Sequence, residues 1–428
     1  MRVVSADWVV PVEGPPIAGG ALAIGDDGRI AAVGRSSDLG EGEHYADAVV
    51  LPGFVNAHSH LEYAVYPGFG DGLQFPEWIG VHVERKSRIG IEEMEASARL
   101  GALECLRSGI TTVGDASFSG AAATAVAELG LRAIVYVEVF GEDETLERFH
   151  RIRERVAGAF SDRVRLGVSP HAPYTCTLDV YRACTALALP LATHLAESDA
   201  EREYLVTGSG PWDAFAELLV PPLGDTGIRA LAAAGQLGPH VVAAHCVTVD
   251  EEEIALLAEH DVAVAHCPRS NALLGCGVAP LAALRRAGIR VAIATDSPAS
   301  TPSFDMFDEM RAAIAAARAW ERRPDALAAA GALELATLGG ARALGLESEV
   351  GSLVPGKQAD LTVLSLRDTP FIPWEDPVTA TVLGGSPDRV IATLVSGETR
   401  YERGSDTWHE LIDAAHSARG RLLSLDAR

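Results

Sequence analysis

The chain has 428 residues, 48% of them hydrophobic and 22% charged, with a formal net charge of -24. This is the composition of a folded globular protein with a large core, and it excludes disordered, fibrous and collagen-like chains. The negative charge repels a phosphate backbone, and no uncharged apolar run reaches the ~18–20 residues of a membrane span, so neither nucleic acid nor membrane is an expected partner.

The segment Met1-Arg2-Val3-Val4-Ser5-Ala6-Asp7 puts an acid where a secretory signal would carry its apolar core. The six cysteines (Cys105, Cys176, Cys184, Cys246, Cys267, Cys276) contain no C-x-x-C pair. A cytoplasmic protein with free, buried thiols is the expectation. Arg2–Val10, Ala21–Ile24 and Arg29–Val33 read as short strands between Gly and Pro clusters. From Val49 to about Leu344 the pattern becomes helix, glycine, apolar strand, as at Gly109-Ile110, Gly130-Leu131 and Gly288-Ile289. Strands that are apolar throughout are covered on both faces, which implies a parallel sheet wrapped by helices. Such runs fall near 50–57, 110–115, 132–139, 164–169, 190–194, 241–245, 262–266 and 290–295, and eight of them predict a (β/α)8 TIM-type barrel. β character returns from Gly351 to about Tyr401. The expected organisation is an α/β chain in which residues 1–50 and 350–403 form a small β-sandwich domain from both chain ends. The barrel is inserted between them over 51–349, and 404–428 form a C-terminal helix.

In such a barrel functional side chains sit at the C-terminal ends of the strands. His58-Ser59-His60 ends the first predicted strand, His171 the fourth, His194-Leu195-Ala196-Glu197 the fifth, His245 the sixth, His266 the seventh and Asp296 the eighth. Residues two apart on a strand point the same way, so His58 and His60 share a face. Imidazole nitrogen suits zinc or ferrous iron, and an aspartate adds anionic oxygen. Three imidazoles and one carboxylate leave a position for a water whose pKa is drawn toward neutrality.

The run Pro52-Gly53-Phe54-Val55-Asn56-Ala57-His58-Ser59-His60, then His194, His245 and Thr295-Asp296, and the closing Gly351–Leu361 segment together resemble the amidohydrolase superfamily. The resemblance covers nearly the whole chain and implies that His58, His60 and Asp296 bind metal. Superfamily members with two metals bridge them with a carboxylated lysine from strand 4. Here that strand ends Val168-Ser169-Pro170-His171, and the chain's two lysines, Lys86 and Lys357, lie elsewhere. The remaining pattern is similar to the mononuclear deaminase and chlorohydrolase branch. This implies His194 as the third imidazole ligand and one divalent ion, zinc first and iron as the alternative. It also implies Glu197 as proton shuttle, His245 as the group that orients the attacking water, and Asp296 as acceptor of that water's proton. The other zinc-deaminase family is excluded, because His60-Leu61-Glu62 has no P-C-x-x-C to accompany it.

His60-Leu61-Glu62-Tyr63, Phe75-Pro76-Glu77-Trp78-Ile79, Ser169–Thr175 and His266–Asn271 resemble aminodeoxyfutalosine deaminases of the alternative menaquinone pathway. They are also similar to motifs of deaminases acting on adenosine, S-adenosylhomocysteine and methylthioadenosine. The resemblance implies a small nucleoside-like substrate held by Glu62 at the ribose, Trp78 against an aromatic group, His171 at the purine edge, and Asn271. The alternatives are lid packing for Trp78, support of a metal-binding histidine for Glu62 and a structural role for His171; His266 is read as structural or as support for a neighbouring ligand rather than as substrate-binding. Arg85, Lys86 and Arg88 offer cations to a substrate carboxylate, or else solvate a helix. A homodimer is the expected assembly. The rival functions are a chlorohydrolase or guanine-type deaminase of the same branch, and a metal-free scaffold.

Overall fold

Gly53 divides the first long apolar run between two different sheets. A Cβ at this position would lie 2.2 Å from the Thr111 side chain, so only glycine lets the two strands meet there. The computed structural model describes residues 1–369, 375–405 and 408–424. Before Gly53 come β1 (Arg2–Val9), β2 (Ile17–Ala18), β3 (Gly20–Ile24), β4 (Ile30–Arg35) and β5 (Glu43–Pro52). After it come β6 (Phe54–Ser59), β7 (Ile110–Ser117), β8 (Arg132–Val139) and β9 (Val164–Pro170). β10 (Leu191–Leu195), β11 (Val241–His245), β12 (Ala263–His266) and β13 (Val291–Ile293) follow. The last strands are β14 (Leu361–Ser365), β15 (Val390–Val395) and β16 (Glu398–Glu402).

β6 to β13 pair in sequence order as a parallel eight-stranded sheet, the (β/α)8 barrel expected. The seam between β13 and β6 is closed by the Asn56 side chain and by the backbone. Asn56 accepts from the Thr295 N–H (2.9 Å) and donates to Thr295 Oγ1 (2.7 Å), while the Asp296 N–H donates to the His58 carbonyl (3.0 Å). The barrel interior is filled largely by small residues on alternate positions, among them Ala192, Ala263, Ala265, Ala292 and Ala294, with Ile134 and Tyr136. The first barrel strand begins at Phe54 rather than near residue 50, and β5 was not legible as a strand. Its first half, Glu43–Asp47, is polar and largely exposed.

The second sheet draws on both chain ends in the order β16-β15-β14-β5-β1-β3-β4, with β2 on β1. It docks at the N-terminal ends of the barrel strands, opposite the cavity described below. The Thr362 and Thr393 hydroxyls donate to the Gly109 and Leu106 carbonyls (2.7 Å each). The buried Arg132, on β8, donates to Asp360 (3.0 Å), which also accepts the Ser396 N–H (2.7 Å). Removing one member of a buried pair costs up to about 3–5 kcal/mol where the other charge is left unpaired, and among the described residues Arg132 would keep only Glu349, 3.7 Å away, as an ion-pair partner. Asp360→Ala should therefore lower stability toward urea by up to that amount, and a change below about 1 kcal/mol would contradict this role.

The C-terminal helix, His409–Ser424, packs on the helices Phe75–Ser87 and Ile91–Arg107, with Arg419 donating to the Val65 carbonyl (2.8 Å). The ends of the expected helix at 406–407 and 425–428 lie outside the described residues. Among the described residues no helix is long and apolar enough to cross a membrane. All six cysteines are free and buried. Glu104, within Ile91–Arg107, is pushed up to about 7 by burial, against the pull of Arg107. A carboxyl whose folded pKa is raised gives stability that is complete below its ordinary range and is lost as pH rises through the folded value. Glu104→Gln should thus raise Tm relative to the parent at about pH 8 and much less at about pH 5. An equal effect at both would contradict the shift.

Candidate active site

The C-terminal mouth of the barrel opens into a cavity of about 390 Å³. Its floor carries His60, His194, His245, Asp296 and Glu197, and its walls include Phe75, Trp78, Tyr174 and Phe215. Strand geometry delivers most of these. On β10, Ala192 lies in the interior and His194 follows two residues on, as Asp296 follows Ala292 and Ala294. β6 needs an irregularity. Its pairing with β7 shifts between Asn56 and Ser59, three residues against two. This bulge turns His58 and His60 to the face that Val55 and Ala57 occupy lower down.

Four donors converge. His58 Nε2 and His60 Nε2 lie 3.4 and 3.5 Å from Asp296 Oδ1, and His60 Nε2 lies 3.3 Å from His194 Nε2. A tetrahedral ion bound at 2.0–2.1 Å holds its donors about 3.3–3.4 Å apart. The buried His58 Nε2 has no hydrogen-bond partner among the described residues. His194 Nδ1–H donates to the His171 carbonyl (2.8 Å), which leaves the lone pair on Nε2. Asp296 Oδ2 accepts from Ser270 (2.6 Å) and Ser300 (3.1 Å), which leaves Oδ1 to the centre. The residues therefore fit one divalent metal ion.

Electrostatics support the same arrangement. Burial first, then neighbouring histidines, lowers His60 to about 3 and His194 well below the usual range, so both imidazoles are neutral, the form that ligates. Burial would raise Asp296, but the close His58 imidazole, then His245 and His60, hold it well below the usual carboxylate range. Glu197 is pushed well above its ordinary value by burial, then by Asp296 and Glu201. Its Oε1 lies 3.5 Å from His245 Nε2, a buried nitrogen with no hydrogen-bond partner among the described residues. His245 Nδ1–H donates to Asn271 Oδ1 (2.9 Å). Ala196, His245 and Asp296 have φ of 50°, 73° and 59°, left-handed values that non-glycine residues adopt at a cost and that gather at working sites. A carboxyl that keeps its proton beside a metal cradle is equipped for acid–base chemistry.

Two residues expected at the substrate lie off the cavity wall. Glu62 is absent from the cavity wall. The short 3₁₀ turn Leu61–Tyr63 carries its carboxylate to Ser117 Oγ and to the N–H and Oγ of Ser119, at 2.5–3.2 Å. Asn271 likewise stands behind His245 and not in the cavity. Trp78 and His171 do line the cavity, whereas His266 does not. Of the three expected cations, Lys86 alone reaches the cavity. Arg88 pairs with Glu84, and Arg85 covers the Phe69 ring and donates to the Leu422 carbonyl.

Sequence reasoning missed Glu138 and Arg148, both in the cavity lining with Phe118 and Phe140. Lys86 Nζ lies 3.9 Å and the Arg148 guanidinium 4.1 Å from the Phe118 ring. The signal for Glu138 was present: an acid two residues beyond Tyr136 on the inward face of an apolar strand. Asp115 was also missed. It holds the turn after His60 through Ser59 Oγ (2.9 Å) and the Leu61 N–H (2.7 Å).

A profile described as "Amidohydrolase family" matches residues 49–400. The chain is 36% identical over 412 residues to a "5-methylthioadenosine/S-adenosylhomocysteine deaminase" of Moorella thermoacetica, covering 92% of this chain and 93% of that one. It is 34% identical over 394 residues to a "5'-deoxyadenosine deaminase" of Methanothermobacter thermautotrophicus, covering 89% and 88%. Among solved structures, a zinc-bound adenosine deaminase from Xanthomonas campestris superposes with a TM-score of 0.88 at 29% identity, covering 99% of this chain and 98% of that one. An atrazine chlorohydrolase from Arthrobacter aurescens superposes at 0.83 with 22% identity, over 98% and 100% of the two chains, a likeness of fold alone.

Proposed function

From a chain that belongs to the amidohydrolase family, and is thus a hydrolase acting on C–N bonds, we propose a hydrolytic deaminase that converts the adenine amino group of a nucleoside to a carbonyl and releases ammonia. The observation that carries this reading is the buried Glu197 carboxyl, 3.5 Å from His245, beside four donors that fit one metal ion. His58, His60, His194 and Asp296 would hold that ion, zinc first, and when bound it supplies a Lewis acid that makes water a nucleophile near neutral pH.

The chain's own residues then divide the proton transfers. Asp296 Oδ1 accepts the first proton of the water, with Oδ2 pinned by Ser270 and Ser300. His245 Nε2 orients the attacking oxygen, its ring fixed by Asn271. Glu197 delivers its proton to the ring nitrogen beside the attacked carbon, takes the proton of the hydroxyl formed there and passes it to the amine as the C–N bond breaks. It is then reprotonated by the proton held on Asp296. The balance is one water consumed and one ammonia released, with a ring C=O and N–H in the product. The aromatic walls at Trp78 and Phe75 exclude water and hold a planar base, with His171 at its edge.

The nucleoside's substituent points to the end lined by Lys86, Arg148, Glu138, Phe118 and Phe140 in this reading. Two cations against an aromatic surface suit a carboxylate on an aromatic group, so 6-aminodeoxyfutalosine, an intermediate toward menaquinone, is the proposed substrate. Glu138 favours a second reading, because a carboxylate beside two cations also suits the amino-acid tail of S-adenosylhomocysteine, a substrate named for the Moorella relative. Charge-assisted contacts contribute about 1.5–3 kcal/mol, or roughly tenfold or more in preference. kcat/KM is therefore expected to be at least about tenfold higher for 6-aminodeoxyfutalosine than for adenosine, methylthioadenosine or S-adenosylhomocysteine. A higher value for S-adenosylhomocysteine would select the second reading, and a higher value for adenosine would remove both.

A further inference from the structure

The side chain of Glu197 acts in the cavity, but its backbone belongs to a different network. Glu201, in the first turn of the helix Asp199–Thr207, is 1% exposed. Its Oε1 accepts the Ala196 N–H (2.9 Å) and its Oε2 accepts the Glu197 N–H (2.7 Å). The Ala196 carbonyl in turn accepts the N–H groups of Val247 (2.8 Å) and Thr248 (2.9 Å), and the Leu195 carbonyl accepts that of Cys246 (3.0 Å). These last residues form the turn that follows His245. Both turns are left-handed at non-glycine residues, with φ of 50° at Ala196, 73° at His245 and 47° at Cys246. Such conformations persist only where surrounding contacts over-determine them.

We propose that Glu201 is a positioning residue for catalysis, whose carboxylate clamps the Ala196–Glu197 turn, and with it the turn after His245 that hangs on the Leu195 and Ala196 carbonyls, and so sets Glu197 against His245. It is itself absent from the residues that line the cavity and from the candidate metal ligands. Both of its oxygens serve backbone donors, and among the described residues this acid, at the third position of the helix, is the one side chain that bonds both amides. The proposal rests on the reading of Glu197 as the proton-transfer group.

The test is a double-mutant cycle on the metal-loaded enzyme, with the best of the four nucleosides as substrate. The Glu201→Gln amide turns an NH₂ toward one of the two N–H donors, which releases one half of the clamp. Glu201→Gln is expected to lower kcat about 10- to 100-fold, the range a small misplacement of a reacting group produces, with KM and metal content unchanged. In a Glu197→Gln background the same change should cost less than about threefold, because residues that act as a unit are not additive. Equal losses in both backgrounds, or a loss confined to KM or to metal content, overturn the proposal. Parent-like turnover in Glu197→Gln alone instead removes the reading of Glu197, and the proposal with it. If Glu201→Gln does not fold, the comparison is made with Ala196→Gly, which adopts the left-handed turn freely. Ala196→Gly/Glu201→Gln should then fold and lose at least about tenfold in kcat relative to Ala196→Gly, and equal kcat overturns the proposal.

Discussion

Glu197→Gln is expected to keep fold, metal and KM while losing about 10²- to 10⁴-fold in kcat, the usual contribution of a general acid–base group. The physical ground is burial. The Glu197 side chain is walled in beside Asp296 and Glu201, and burial followed by these two neighbours pushes its pKa well above the ordinary value. It therefore retains a proton under conditions where an exposed glutamate has lost it. The amide of glutamine has nearly the same shape and keeps the hydrogen bond of its backbone N–H to Glu201, so packing and positioning are preserved. What it cannot do is give up a proton and take one back. Steady-state kinetics, with metal content measured on the same sample, check this. A variant within about threefold of the parent would place the proton transfer on another group.

The second large effect is expected at Asp296. Asp296→Asn should release the metal and reduce turnover by at least about 10³, since a Lewis acid contributes several kcal/mol and each 1.36 kcal/mol is tenfold. Asparagine tolerates the left-handed backbone found here, φ 59°, so the loss will not come from misfolding. The substitution removes the negative charge that His58 and His60 face at 3.4 and 3.5 Å. It also turns an NH₂ either toward the imidazoles or toward the hydroxyls of Ser270 and Ser300. Elemental analysis should find one divalent ion per chain in the parent and a small fraction of one in Asp296→Asn. Two ions per parent chain, or full occupancy in the variant, would contradict the four-donor centre.

Much of this architecture is legible in the chain itself. The parallel barrel follows from apolar runs after Gly109, Gly130 and Gly288, and the histidines stand out because each ends such a run. Three kinds of feature were not legible, each for a physical reason. β5 is half exposed and polar, so its partnership with β1 and β14 leaves no periodicity to read. The bulge that re-aims His58 and His60 depends on pairing with β7, a long-range register no local pattern encodes. Glu62 lies two residues from a metal-ligand candidate, but the tight turn at Leu61–Tyr63 carries it out of the cavity toward Ser117 and Ser119. The reverse happened with Arg148, which reaches the cavity from the helix Glu147–Arg155 with no motif around it. Glu138 was recoverable from strand parity alone, and Lys86 is separated from Arg85 and Arg88 only by the face of the helix Phe75–Ser87 that it occupies.

The most direct measurement of the central claim is turnover of an adenine nucleoside by the zinc-loaded enzyme in water enriched in heavy oxygen. Product mass and released ammonia are followed together. The expected result is one ammonia per product, with a hypoxanthine nucleoside that carries the heavy oxygen on its ring and an intact glycosidic bond. Free adenine, or an unchanged nucleoside with no ammonia across all four substrates, would contradict it.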